Sequence, residues 1–147
     1  MKWAPWRTRP GDVTVFFEKL SIRQKTALLA LAKRMMIADA KIRIEEDALF
    51  TLLRAEVGAG LEPPTQDVFG KIDVSLFDDR YSQLVLLMTL AVMAFVDNHF
   101  HASESSVLNE VIARLDFDEE TIAQAMAMAE RQGALIREVE DFFQAKV

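Results

Sequence analysis

The feature that most constrains the fold is an internal repeat, which emerges when the sequence is aligned with itself at an offset of 58 residues. Residues 28–57 and 86–115 share six identities over 30 aligned positions, where chance gives about two. The identical pairs are Leu28/Leu86, Leu29/Leu87, Met35/Met93, Asp39/Asp97, Glu46/Glu104 and Ala55/Ala113. Each copy therefore predicts an apolar helix, an acidic turn and a second apolar helix, and a duplicated helical hairpin predicts a bundle.

Apolar periodicity along the chain predicts further helices and no strand. Ser21 begins the first long helix, because Gln24 three residues later completes a capping-box pattern, and this helix is expected to end near Asp39. Further helices are expected at about 45–57, 66–72, 81–96 and 103–115. The uncharged run at 81–96 is 16 residues long, shorter than the about 20 that cross a bilayer, and therefore predicts a buried central helix.

Two helices are expected at the C-terminal end of the chain. Asp118 opens the first, and Gly133 is expected to end it, because glycine is a common residue just after a helix. The second has apolar residues at i, i+1, i+4, i+7 and i+8: Leu135, Ile136, Val139, Phe142 and Phe143. We expect the two phenylalanines to dock onto the bundle, with a dimer contact as the alternative.

Together these patterns predict an all-α protein, a compact bundle of about six or seven helices that contains the duplicated helix–acidic turn–helix unit. The scarcity of Pro (4) and Gly (5) agrees with a helical chain. Residues 1–11 contain Pro5, Pro10 and Gly11 and are expected to form a loose basic arm, which leaves 12–147 as a single domain.

The two turns and the helices around them resemble a known family. The segments ADAKIRIEEDALF and VDNHFHASESSVLNEV, within a helical pattern over residues 21–130, are similar to the tellurite-resistance TerB-like helical domain, whose members carry an acidic Asp-Gly turn between helices. This chain has Ala40 and Asn98 in place of that glycine, and alanine resists the left-handed conformation that asparagine tolerates. The resemblance implies a compact bundle, a bacterial stress-response or envelope-associated setting and divalent-cation binding by the acidic turns, without enzymatic activity.

Metal binding is the most specific chemistry that the residues themselves suggest. Asp39 and Glu46 in one turn, with Asp97 and Glu104 in the other, would suit a hard divalent cation if the two hairpins face each other. The alternative is that each Asp accepts backbone N–H groups in its turn and each Glu stabilises the start of the next helix.

The second turn also holds the only two histidines of the chain. His99 and His101 lie between Asp97 and Glu104, a cluster that would suit zinc or another transition metal. The first turn has Lys41 and Arg43 at the equivalent positions, which repel a cation, so such a site would belong to the second turn alone.

The distribution of charge along the chain indicates which classes of binding partner the protein can have. Residues 1–43 carry ten Lys/Arg against three Asp/Glu, and residues 44–147 carry seven against twenty. The overall charge of −6 argues against a nucleic-acid partner. Trp3 and Trp6 in the basic arm suit peripheral contact with a membrane, although an arm that is disordered or packs on the domain is the simpler interpretation.

These observations favour a binding protein over an enzyme. The chain has no cysteine, no glycine-rich phosphate loop and none of the common hydrolase motifs, and its histidines are confined to one turn. We expect a cytoplasmic helical module that works by binding, either a divalent cation at the acidic turns or a protein or membrane partner. The alternative is a purely structural interaction domain, a homodimer or adaptor, that takes no ligand.

Overall fold

The computed structural model describes residues 15–38, 51, 54, 55, 63, 65–96 and 105–147. Within them it contains helices and no strand, which confirms the all-α prediction. The helices are α1 (Val15–Glu18), α2 (Ile22–Ala38), α3 (Thr65–Phe69), α4 (Arg80–Phe95), α5 (Ser106–Arg114) and α6 (Glu119–Lys146). None of these helices is both long enough and apolar enough to cross a membrane.

Side-chain caps fix where the longer helices begin. Ser21 and Gln24 form the expected capping box before α2: the Ser21 N–H donates to Gln24 Oε1 at 2.9 Å, and the Gln24 N–H donates to Ser21 Oγ at 3.1 Å. Asp79 caps α4 by accepting the Ser82 N–H at 2.6 Å. Hydrogen bonding by the Ser82 side chain and backbone holds the pKa of Asp79 below its usual value, because these bonds favour the carboxylate.

The core is organised around α4, as its uniform apolarity predicts. Leu86, Leu87 and Leu90 of α4 are fully buried, together with Leu28 and Leu29 of α2. Leu108 and Val111 of α5 belong to the same core cluster and are fully buried as well. Burial of each such side chain stabilises the fold by about 1.5–3 kcal/mol relative to its exposure. Because α4 has eight buried residues, it forms the centre on which the other helices pack.

Polar side chains connect α2 to the segment around α3. Gln24 Nε2 donates to the carbonyl of Leu76 at 3.0 Å, which ties the start of α2 to the loop before α4. Arg34 donates to the carbonyls of Gly70 and Val68 at the end of α3. Arg34 is half-buried, because its guanidinium group lies against the end of α3 and donates to these two carbonyls.

The prediction that Gly133 ends a helix is wrong. Helix α6 runs without a break for 28 residues, and Gly133 is a buried residue in its interior. A Cβ atom at this position would lie 2.8 Å from both the carbonyl carbon and the carbonyl oxygen of Phe95 at the end of α4. The glycine is therefore a point of close backbone approach between α6 and α4.

The contacts at the two ends of α4 show that α4 and α6 run parallel. At the start of α4, Arg80 donates to the carbonyl of Asp116 at 2.9 Å and lies over the Phe117 ring at 4.5 Å, immediately before α6. At the end of α4, Phe95 contacts Gly133, and Arg137 donates to the Phe95 carbonyl. The connection between these parallel helices includes α5.

We predict that Gly133→Ala destabilises the protein by about 1–3 kcal/mol, because the added methyl group must push α6 away from Phe95. Helix propensity alone predicts the opposite sign, a gain of about 1 kcal/mol. Urea unfolding followed by far-UV circular dichroism measures the difference. The matched control is Ala134→Gly at the exposed neighbouring position, which should lose about 1 kcal/mol through propensity alone. An increase in stability for Gly133→Ala would contradict the close-approach account.

Candidate functional site

The six residues of the predicted metal sites lie outside the described part of the chain: Asp39, Glu46, Asp97, His99, His101 and Glu104. The basic arm at 1–11 lies outside it as well. Cation binding and membrane contact therefore stay predictions. Within the part of the chain that the structure does describe, no group of three or more Asp, Glu or His side chains is placed to hold a metal ion.

The most conspicuous surface feature among the described residues lies on the second half of α6. We call it the α6 apolar surface: Leu135, Val139, Phe142 and Phe143, with Ile136 at its edge. Their exposed fractions are 57% for Leu135, 42% for Val139, 58% for Phe142 and 60% for Phe143. The expectation that the two phenylalanines dock onto the bundle is therefore wrong. A contiguous set of exposed large apolar side chains commonly marks an interaction site.

The position of this surface follows from how α6 is held. Its buried residues, Ala125, Ala129 and Gly133, are spaced by four and form one small-residue ridge against α4. Arg137 is the next residue at this spacing, and its side chain donates to the carbonyl of Phe95, the last residue of α4. Because α4 has 16 residues and α6 has 28, α6 is longer by roughly 18 Å at 1.5 Å per residue. The row reaches the end of α4 at Arg137, and the α6 residues beyond it are mostly exposed.

The two phenylalanine rings also contact each other. Their centroids are 6.0 Å apart, with an interplanar angle of 56°, a tilted arrangement that aromatic pairs favour. Glu138 and Glu140 lie on the two flanks of the α6 apolar surface, about 100° to either side of Val139. The surface is therefore an aromatic and aliphatic face with an acidic border.

A cleft of about 600 Å³ is the second candidate site. It lies between α2, α3 with the segment that follows it, and the end of α5. Its apolar lining residues are Ala27, Ala30, Leu31, Ile72 and Leu76. Its charged side chains are Asp67, Lys71, Asp73 and Arg114, two of each sign. This balance gives the cleft no net charge with which to select an ionic ligand.

Two of the charged groups of this cleft, Asp73 and Arg114, already interact within the protein. The Ser75 N–H donates to Asp73 Oδ1 at 2.9 Å. Hydrogen bonding by the Ser75 backbone and side chain, with smaller effects of Arg114 and Lys71, holds the pKa of Asp73 below its usual value. Arg114 forms an ion pair with Glu110 at 3.0 Å. We therefore regard the α6 apolar surface as the better candidate.

No protein-family model matches this chain, and neither a curated protein nor a solved structure matches it. The resemblance to TerB-like domains accordingly stays a prediction.

The sequence predicts that the residues of the α6 apolar surface share one helix face, but it does not predict that this face is exposed to solvent. The helical spacing of these residues agrees with α6. The break that the sequence predicts at Gly133 would, however, place them in a separate helix. One signal for a continuous helix was present: Ala125, Ala129 and Gly133 form a row of small residues at i, i+4 and i+8, which is typical of a close helix–helix contact.

We predict that Phe142→Ala together with Phe143→Ala changes the free energy of unfolding by no more than about 0.5 kcal/mol, because both rings are largely exposed. The control Leu108→Ala, at a fully buried position in α5, should lose about 2–5 kcal/mol. Both are measured by urea unfolding at low micromolar protein. A loss above about 2 kcal/mol in the double variant would mean that the rings are part of the core.

Proposed function

We propose that this chain is a non-enzymatic helical binding module of the TerB-like kind, and that it binds a partner protein through the α6 apolar surface. The observation that carries the proposal is the exposure of Leu135, Val139, Phe142 and Phe143 on one face of a helix that α4 holds in place. Two phenylalanines, a leucine and a valine at these exposures form an apolar patch on the order of 300 Å², a size that is often functional on soluble proteins.

The chemistry of the surface favours a protein partner. Aromatic side chains dominate the central contacts of protein interfaces, and an amphipathic helix commonly binds through residues at i, i+3, i+4 and i+7. Glu138 and Glu140 on the flanks repel phosphate groups, which disfavours nucleic acid and anionic lipid at this surface. The acidic balance of residues 44–147 acts in the same direction.

The helix bounds support the proposal of a duplicated scaffold. Helix α2 begins at Ile22 and α4 at Arg80, which is the 58-residue offset of the sequence repeat. Within both helices the leucine pairs of the repeat, Leu28 with Leu29 and Leu86 with Leu87, are fully buried. In this scheme the repeat builds much of the core, and α6, which follows the second copy, supplies the binding surface.

We expect a library of phage-displayed amphipathic helical peptides, selected on the immobilised protein, to yield binders that need the α6 apolar surface. Val139→Gln with Phe143→Gln should weaken the selected peptides at least about tenfold, because both residues are central anchors. The matched control Ala127→Gln with Ala134→Gln places the same side chains at exposed positions of α6 outside the surface, and should leave affinity unchanged. Failure to select binders, or equal losses in both double variants, would refute the proposed docking surface.

The repeated acidic turn favours a second function, the binding of a divalent cation. We place this function in the cytoplasm, in a bacterial stress-response or envelope-associated setting. Asp39 follows directly after α2 ends at Ala38, and Asp97 follows Val96, the C-terminal cap of α4. Each is followed seven residues later by a glutamate, Glu46 or Glu104. These carboxylates are the proposed ligands, with His99 and His101 as additional ligands in the second turn.

Calorimetric titration of EDTA-treated protein with Ca²⁺, Mg²⁺, Mn²⁺ and Zn²⁺ tests the cation proposal. We expect one of them to bind with a dissociation constant in the micromolar range, and Asp97→Asn to abolish the heat. Asp67→Asn, which changes an exposed carboxylate of α3, is the control and should bind normally. No heat with any cation would leave the carboxylates as turn-builders and remove this second function.

A further inference from the structure

The residues of the α6 apolar surface are symmetric about Val139. Leu135 and Phe143 lie four residues before and after it, and Ile136 and Phe142 lie three residues before and after it. On a helix with 3.6 residues per turn, all five fall within about 60° of the direction of Val139. A second copy that runs in the opposite direction can therefore lie against this surface with its apolar residues in register.

The contacts of such a pair follow from the helix geometry. With a twofold axis beside Val139, the valines of the two copies meet on the axis. Leu135 then packs on Phe142 of the second copy, and Ile136 packs on Phe143 of the second copy, because each pair shares a flank of the helix at nearly the same height. Every large apolar residue of the surface thus gains an apolar partner, which is the requirement for a same-surface dimer interface.

We propose that the partner of the α6 apolar surface is a second copy of this chain, bound antiparallel about Val139. This inference rests on the proposed function, namely that the surface is a docking site. The paired helices bury on the order of 500 Å² per copy, below the about 800 Å² of a standard stable interface, so the dimer is weak. We expect a dissociation constant in the micromolar range.

The acidic flanks distinguish a second copy from any basic partner. In the antiparallel pair, Glu138 lies beside Glu138 of the second copy, and Glu140 lies beside Glu140 of the second copy. These like charges oppose association, so salt strengthens the dimer by screening them. Glu138→Gln with Glu140→Gln should therefore tighten the dimer by about threefold, whereas the same change weakens binding of a basic peptide.

Cysteine cross-linking tests the register, and the natural chain contains no cysteine to interfere. Val139→Cys should form a disulfide-linked dimer under mild oxidation. Leu135→Cys and Phe142→Cys should each fail to link to themselves, but an equimolar mixture of the two variants should yield the mixed dimer. A parallel pair gives the reverse: each variant links to itself. The control Ala134→Cys, at an exposed position outside the surface, should stay monomeric.

Sedimentation velocity over a range of concentrations of the unmodified protein supplies the second readout. A monomer–dimer equilibrium that the two Glu→Gln changes tighten, and that Val139→Gln with Phe143→Gln abolishes, is the expected result. A monomer at all concentrations with no Val139→Cys cross-link overturns the dimer. If helical peptides still bind the surface in that case, the proposed function stands with a different partner; if they do not, both fall.

Discussion

The arrangement of the described helices depends on the close approach of α4 and α6 at Gly133. Only a residue without a Cβ allows the α6 backbone to lie this close to Phe95, because an added Cβ would be 2.8 Å from two of its backbone atoms. Ala125 and Ala129 extend the same small-residue ridge towards the start of α6. This contact fixes the direction of α6, and through it the place where the second half of the helix presents its apolar residues.

Three arginine side chains connect elements of the fold by donating hydrogen bonds to backbone carbonyls near helix ends or in loops. Arg137 donates to Phe95 at the end of α4, and Arg34 donates to carbonyls at the end of α3. Arg80 donates to Asp116 between α5 and α6. The last carbonyls of a helix have no partner within it, and a guanidinium group can satisfy them without leaving the surface.

Much of this fold could be predicted from the sequence, and the failures have a common physical cause. Periodicity and capping located α2 and α4 within one residue, since Ser21 with Gln24 and the uncharged run at 81–96 are local signals. The role of Gly133 inside a helix could not be predicted from its neighbours, because it depends on contact with Phe95, which is 38 residues away in sequence. The exposure of Phe142 likewise depends on where α4 ends. The acidic turns were found by the repeat alone, and their proposed chemistry awaits its own test.

Helix α6 is one continuous helix whose second half extends beyond its contact with α4, and the exposure of the α6 apolar surface depends on this continuity. The most direct measurement is the distance between nitroxide labels at Ala123→Cys and Ala145→Cys, both exposed positions, by double electron–electron resonance with the labelled protein diluted in unlabelled protein. Positions 123 and 145 are 22 residues apart in sequence, so a continuous helix places them about 33 Å apart with a narrow distribution of distances. A hairpin that breaks at Gly133 and folds back would give a distance below about 20 Å, and that result would show that α6 is not continuous.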